Sequence, residues 1–333
     1  MKTTLGTIIA LATALFAGPT LAQEKTLKVS LYPPSVHPTV KSLEVWGHSL
    51  SEASGGTLNV EVYPAEQLGK AVDHYDLARD GIAEMAMAPP GLNPGRFPIM
   101  TLSEIPFLMS DVKKGSADFH RWYANYADRE MGDVKVCMIM MHDPGVLHTS
   151  GKAVRTPSDL AAMKIRPANG TIANFVSSQG ATTVQAAMPE IRELVERGVT
   201  NGVTFPWNSI FLTKAEGLLT YHLDLDLYTA PNVFVMNKGF YDSLDDTQRA
   251  AVDDHCTPEW SSYMITSWAD FDAAGKDRFA ALDGHMIYSP TEKEIAQWHE
   301  AAQPQAERIF AGVKRFGLDG PTLLEELKAE LAQ

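Results

Sequence analysis

Residues 25–64, KTLKVSLYPPSVHPTVKSLEVWGHSLSEASGGTLNVEVYP, decide the fold class. The opening KTLKVS alternates apolar and polar residues, and the run stops at Pro33 and Pro34, which predicts a strand ending in a loop. Val40, Leu43, Val45, Trp46 and Leu50 then recur at helical spacing, and the pair Gly55, Gly56 supplies a stop. Residues 57–64 alternate again as a second strand. Farther on, 70–81 predicts a helix closed by Gly81, and 83–91 a short apolar strand ending at Pro89 and Pro90. Strand, helix, strand, helix, strand favours a parallel-rich α/β unit with right-handed crossovers. Ligands of such sheets bind beyond the carboxyl ends of the strands. The loops at Tyr32, Pro34, Pro89 and Pro90 are therefore expected to face one cleft.

The rhythm repeats after 134–150. Residues 156–163 open a helix with a cap at Thr156, Ser158 or both, and KIRPANG (164–170) gives a short strand. Residues 171–180, 182–188, 189–198 and 199–208 then read as helix, strand, helix and strand. Residues 228–244 predict a strand returning to the first unit. Residues 245–284 are mostly helical; unbroken, they would reach about 60 Å and lie across both units, with Pro258 expected to interrupt them. The tail 291–317 is helical with Gly317 as its stop.

The 333 residues are 45% apolar and 21% charged, an ordinary soluble composition with room for two domains of ~100–200 residues each. The first 22 residues differ: Lys2, an apolar run from Leu5 to Phe16, then small residues up to Ala22. This is the layout of a secretory signal cleaved near Ala22, and the run is short of the ~20 residues that span a bilayer. The mature chain is expected to be exported and periplasmic. Its net charge of −13, or −14 once Lys2 is removed, argues against a nucleic-acid partner. The two cysteines, Cys137 and Cys256, lie 119 positions apart and are expected as unpaired buried thiols.

Arg166 is the candidate for chemistry. It ends a short second-lobe strand, and Pro167 forces extended geometry on it. Its guanidinium is expected to project into the cleft, where its planar fork matches a carboxylate. A local acid such as Glu190 is the competing structural partner. Asn169 follows three residues on and would orient the arginine or touch ligand. Other chemistries fit poorly. Residues 145–153 fail the phosphate-loop spacing, no HExxH or GxSxG pattern occurs, and His142 and His148 are weak evidence for a metal. No metal and no cofactor is expected.

Eight stretches in order also resemble a family: LYPPSVHP, VEVYPAEQLG, DLARDGIAEMAMAPP, SEIPFLM, MKIRPANG, ANFVSSQGATTV, MPEIRELVERGVTNG and FVMNKGFYDSLDDTQRAAV. Together they are similar to the periplasmic solute-binding subunit of tripartite ATP-independent periplasmic (TRAP) transporters, of the DctP type. The resemblance implies a two-lobed venus-flytrap α/β fold with a long helix bridging both lobes. It implies a ligand carboxylate clamped by Arg166, and delivery to a membrane permease of two subunits driven by a sodium gradient. Lobe 1 is expected over 23–145 with a return segment about 230–265, and lobe 2 over 146–229 with the C-terminal segment 266–333.

Departures from the family narrow the ligand. Where sialic-acid-type members carry a second arginine, this chain has Val146 and Leu147, with His148 close by as a substitute donor. In NGVTFPWNSI, Phe205 and Trp207 bring apolar surface, and Asn208 is the amide candidate. With Tyr32 and Phe234 these residues predict a monocarboxylate with an apolar, aromatic or zwitterionic body, an ectoine-like compound included. The protein is expected to be a monomer and not an enzyme. The alternative is an exported α/β hydrolase acting on a small carboxylate.

Overall fold

A computed structural model describes residues 23–333, and the expected export signal lies outside the described residues. The first sheet has the order β2-β1-β3-β10-β4, built from β1 (Lys25–Ser30), β2 (Leu58–Tyr63), β3 (Met85–Ala88), β4 (Val134–Met141) and β10 (Pro231–Asn237). Strands β1, β2 and β3 are parallel, and β10 runs antiparallel between β3 and β4. The second sheet has the order β11-β9-β5-β8-β6-β7. Its strands are β5 (Gly145–Thr149), β6 (Lys164–Arg166), β7 (Thr182–Thr183), β8 (Gly202–Phe205), β9 (Tyr221–Tyr228) and β11 (Met286–Tyr288).

The opening stretch folds as its pattern requires. Helix Pro38–Ala53 buries Val40, Leu43, Trp46 and Leu50 against the first sheet, where Leu27 and Val29 are also buried. Pro38 suits the first helical turn, where its missing N–H costs nothing. Val45, counted with the apolar face, is exposed instead. In the second lobe Ile165 lies beneath helix Gly170–Ser178, whose Ile172 and Phe175 are fully buried.

Four connections join the lobes, the last of them in the C-terminal tail. β4 leads into β5 through 142–144, and β9 into β10 through 229–230. These two segments are tied where the His142 N–H donates to the Ala230 carbonyl at 3.2 Å. The third is helical. The stretch 245–284 breaks into Asp246–His255, Pro258–Asp272 and Gly275–Ala280. Pro258 opens the second helix, capped by the Thr257 hydroxyl, so the proline interrupts as expected. That helix packs on helices Pro38–Ala53 and Val112–Tyr123 of the first lobe. Its last turn is bonded to the second: Asp272 accepts from the Ser209 N–H at 2.7 Å, and Trp268 Nε1 donates to Ser209 Oγ at 2.9 Å.

The tail divides. β11 and helix Glu292–Ala302 stay with the second lobe, the latter by burying Trp298. Helix Gly320–Leu331 instead lies on Val112–Tyr123 of the first lobe, with Leu323 and Leu327 buried and Arg121 paired to Glu330 at 2.8 Å.

The expectation of two free thiols is overturned, because Cys137 and Cys256 form a disulfide. Cys137 lies in β4, and Cys256 ends a helix packed beside the same sheet, which leaves their Cα atoms 4.2 Å apart. Separation along the chain says nothing of that proximity, which arises only once the return segment docks.

Candidate ligand site

The loops after β1, β3, β6 and β8 and the two crossing segments enclose one cavity of about 50 Å³ between the lobes. A single water needs roughly 10–15 Å³ on that measure, so the space suits a compact solute.

Arg166 ends β6, pairing with Val203 of β8, and is only 3% exposed. Its Nε and Nη2 both donate to the Ala186 carbonyl, at 2.9 and 2.6 Å, and Nη1 donates to the Thr204 carbonyl at 3.4 Å. Of five N–H groups, one on each terminal nitrogen is left uncommitted. No carboxylate among the described residues hydrogen-bonds the guanidinium. Glu190, the suspected structural partner, instead accepts from the Ala187 N–H at 2.9 Å. The guanidinium lies 5.4 Å from the centre of the Phe205 ring. Burial lowers Arg166 to about 10, which leaves it cationic at neutral pH. An uncompensated buried charge of this kind is costly until an anion meets it.

The remaining wall is neutral. Burial pushes Tyr32 well above its ordinary value and keeps its hydroxyl protonated, and that hydroxyl donates to Asn232 Oδ1 at 2.7 Å. Burial holds His37 down at about 3 and His142 at about 4. His142 Nδ1 donates to the Asp143 carbonyl at 2.6 Å, so its Nε2 carries no proton. Trp268 packs edge-on to His37 at 4.5 Å and lies 5.9 Å from His142. Pro89, Leu92 and Met188 complete the apolar surface.

Of the residues expected here, Arg166, Tyr32, Pro89, Phe205 and Asn169 line the cavity. Asn169 also caps helix Gly170–Ser178, accepting from the Ile172 N–H at 2.8 Å. The others lie outside the lining. Phe234 is buried core within β10 of the first sheet. Pro90 opens a short turn, and Pro34 closes the turn that presents His37, accepting its N–H at 2.9 Å. Asn208 ties the third crossing, donating to the Phe271 carbonyl and accepting from Arg278, each at 2.5 Å. Trp207 packs with His148, His222 and Phe279 in the second lobe. His148 is no substitute donor for a missing arginine. Both its ring nitrogens are engaged, Nδ1 with His222 at 2.7 Å and Nε2 with the Phe205 carbonyl at 3.1 Å.

His37, His142, Asn232 and Trp268 went unread in the sequence. Trp268 shares its helical face with buried Met264 and Ile265, a pattern that core packing equally produces. His37 left one trace, a polar residue directly before Pro38 where a helix cap belongs.

Two α/β lobes, four crossings and a buried cation in the cleft define a receptor that closes around a small solute. The chain belongs to the bacterial extracellular solute-binding protein family 7 (DctP), whose model matches residues 29–312. A TRAP solute-binding protein from Rhodoferax ferrireducens, solved with copurified benzoate, superposes with a TM-score of 0.86 at 28% identity, covering 92% of this chain and 98% of that one. A marine-metagenome TRAP protein with 3-hydroxybenzoate gives 0.86 at 27% identity over 93% and 99%. Among curated relatives, the ectoine-binding periplasmic protein TeaA of Halomonas elongata is 22% identical over 82% of this chain and 80% of its own length. Membership places the chain among transport receptors and sets the hydrolase alternative aside. The family is periplasmic and serves membrane permeases, and among the described residues no helix is long and apolar enough to cross a membrane.

Proposed function

We propose that this TRAP solute-binding protein captures a small monocarboxylate with a compact aromatic or apolar body, with Arg166 holding the carboxylate. One observation carries the reading. Arg166 is a buried cation bonded only to carbonyls, with N–H groups left for an anion. The single positive charge suits one carboxylate rather than two. The walls formed by Trp268, Pro89, Leu92 and Phe205 suit a flat apolar body. The benzoate and 3-hydroxybenzoate held by the two solved relatives are of that class. An ectoine-like zwitterion is the weaker reading, because among the described residues no carboxylate lines the cavity to meet its cationic end.

Ligand touching Arg166 on one lobe and Tyr32 or Pro89 on the other favours the closed state, by differential affinity for the two states. Thr171 of the second lobe donates to Glu104 of the first at 2.8 Å, and Gln185 to the Gly91 carbonyl at 3.0 Å, and these bonds join the lobes once closed. One chain supplies the whole cavity, which supports action as a monomer. The layout of residues 1–22 supports export with cleavage near Ala22. A thermal-shift series with benzoate, 3-hydroxybenzoate, mandelate, ectoine and glucose tests the reading. Aromatic acids are expected to raise the melting temperature through linkage. Shifts by ectoine or glucose alone would refute it.

A further inference from the structure

His37 is 2% exposed and lines the cavity, and its two nitrogens have different fates. Nδ1 accepts the Thr39 N–H at 3.2 Å, which caps helix Pro38–Ala53. An accepting nitrogen carries no proton, so in the neutral ring the proton sits on Nε2. Nε2 is buried and has no hydrogen-bond partner among the described residues. A buried donor without a partner is unusual in a folded protein and asks for an explanation. Burial keeps the ring neutral, so it offers a directed N–H rather than a second positive charge.

The place of this donor in the cavity matters. His37 caps the first-lobe helix Pro38–Ala53, whereas Arg166 ends β6 in the second lobe. The donor and the cation thus line one cavity from opposite lobes.

We propose that His37 Nε2–H is a specificity-determining donor that selects acids bearing a hydroxyl or carbonyl oxygen at the end remote from the carboxylate. This rests on the carboxylate reading of Arg166 and adds the ligand's other end. An acid lacking that oxygen leaves the N–H buried and unmet, and sites built to satisfy a ligand hydroxyl reject analogues without it. A hydroxyl next to the carboxylate does not reach this donor.

Calorimetry on the purified protein compares benzoate with 3- and 4-hydroxybenzoate, and phenylacetate with mandelate. At least one ring-hydroxylated benzoate is expected to bind about tenfold or more tightly than benzoate. Mandelate should gain nothing from His37 over phenylacetate. His37→Asn retains a capping oxygen for Thr39 while withdrawing the Nε2 donor. It should abolish the ring-hydroxyl preference, so that benzoate and the hydroxybenzoates bind the variant alike. Equal wild-type affinities for benzoate and both hydroxybenzoates overturn the proposal, whatever the variant does. A preference that survives in a folded His37→Asn also overturns it. If benzoate binds without a hydroxyl preference, the carboxylate reading stands and only this one falls; if none of the acids binds, both fall.

Discussion

Replacing Arg166 with methionine separates a ligand-holding cation from a structural one. The side chains are similar in reach, and a thioether still packs on the Phe205 ring. Methionine donates no hydrogen bond and carries no charge. Truncating one partner of a buried, hydrogen-bonded charge pair costs about 2–5 kcal/mol, so acid binding should weaken by roughly thirtyfold to several thousandfold. Stability without ligand should hardly move. Burial depresses the guanidinium from 12.5 to about 10, so carrying the charge costs the fold roughly 3 kcal/mol that methionine avoids. Against that, the Ala186 and Thr204 carbonyls lose their donors, each worth roughly 1 kcal/mol. The balance lies near zero or slightly favours the variant, as when buried charges give way to apolar residues of similar volume. Calorimetry with the tightest-binding acid and thermal unfolding without ligand measure the two quantities. Affinity retained within threefold would refute the clamp. A ligand-free variant several kcal/mol less stable would show that the arginine serves to hold 186 and 204 together.

Closure itself can be tested at Gly91, where an added Cβ would sit 2.5 Å from the Asn169 Cβ and 2.5 Å from Glu104 Oε1. Gly91→Ala should therefore prop the lobes apart and weaken acid binding at least tenfold with near-normal melting of the ligand-free protein; unaltered affinity would mean the lobes close differently. Burial holds Glu104 up at about 8 against an ordinary 4.5, so the fold binds a proton that the unfolded chain releases. Its stabilising contribution is full below about pH 4.5 and is lost as pH rises through about 8, and Glu104→Gln should flatten the urea midpoint between pH 5 and 9. Identical pH profiles for the two proteins would contradict this. The Cys137–Cys256 bridge closes a separation of 119 residues, for which chain entropy gives about 5 kcal/mol as an upper figure. Replacing both with alanine should lower the denaturant midpoint by the equivalent of about 2–5 kcal/mol and leave acid affinity nearly unchanged, because neither residue reaches the cavity. An unshifted midpoint would deny the bridge a stabilising role.

Local pattern was enough to specify the two α/β units, the helix stops at Gly55 and Gly81, the break at Pro258 and the position of Arg166 at a strand end. Periodicity, caps and proline constraints act over a few residues, and a sequence displays them directly. The loops carrying Tyr32 and Pro89 were legible for the same reason, since a strand end in a parallel sheet fixes which side of the molecule its loop occupies. Which aromatic residues reach the ligand was not legible. Trp207 sits beside the arginine strand and turns into the His148–Phe279 cluster, while Trp268 arrives from a helix about a hundred residues after β6 and faces the cavity. The disulfide, the packing of His37 against Trp268 and the return of the last helix to the first lobe share that origin. Each depends on which distant segments dock against one another, and docking is set by shape and burial summed over whole lobes, which no short run of residues records.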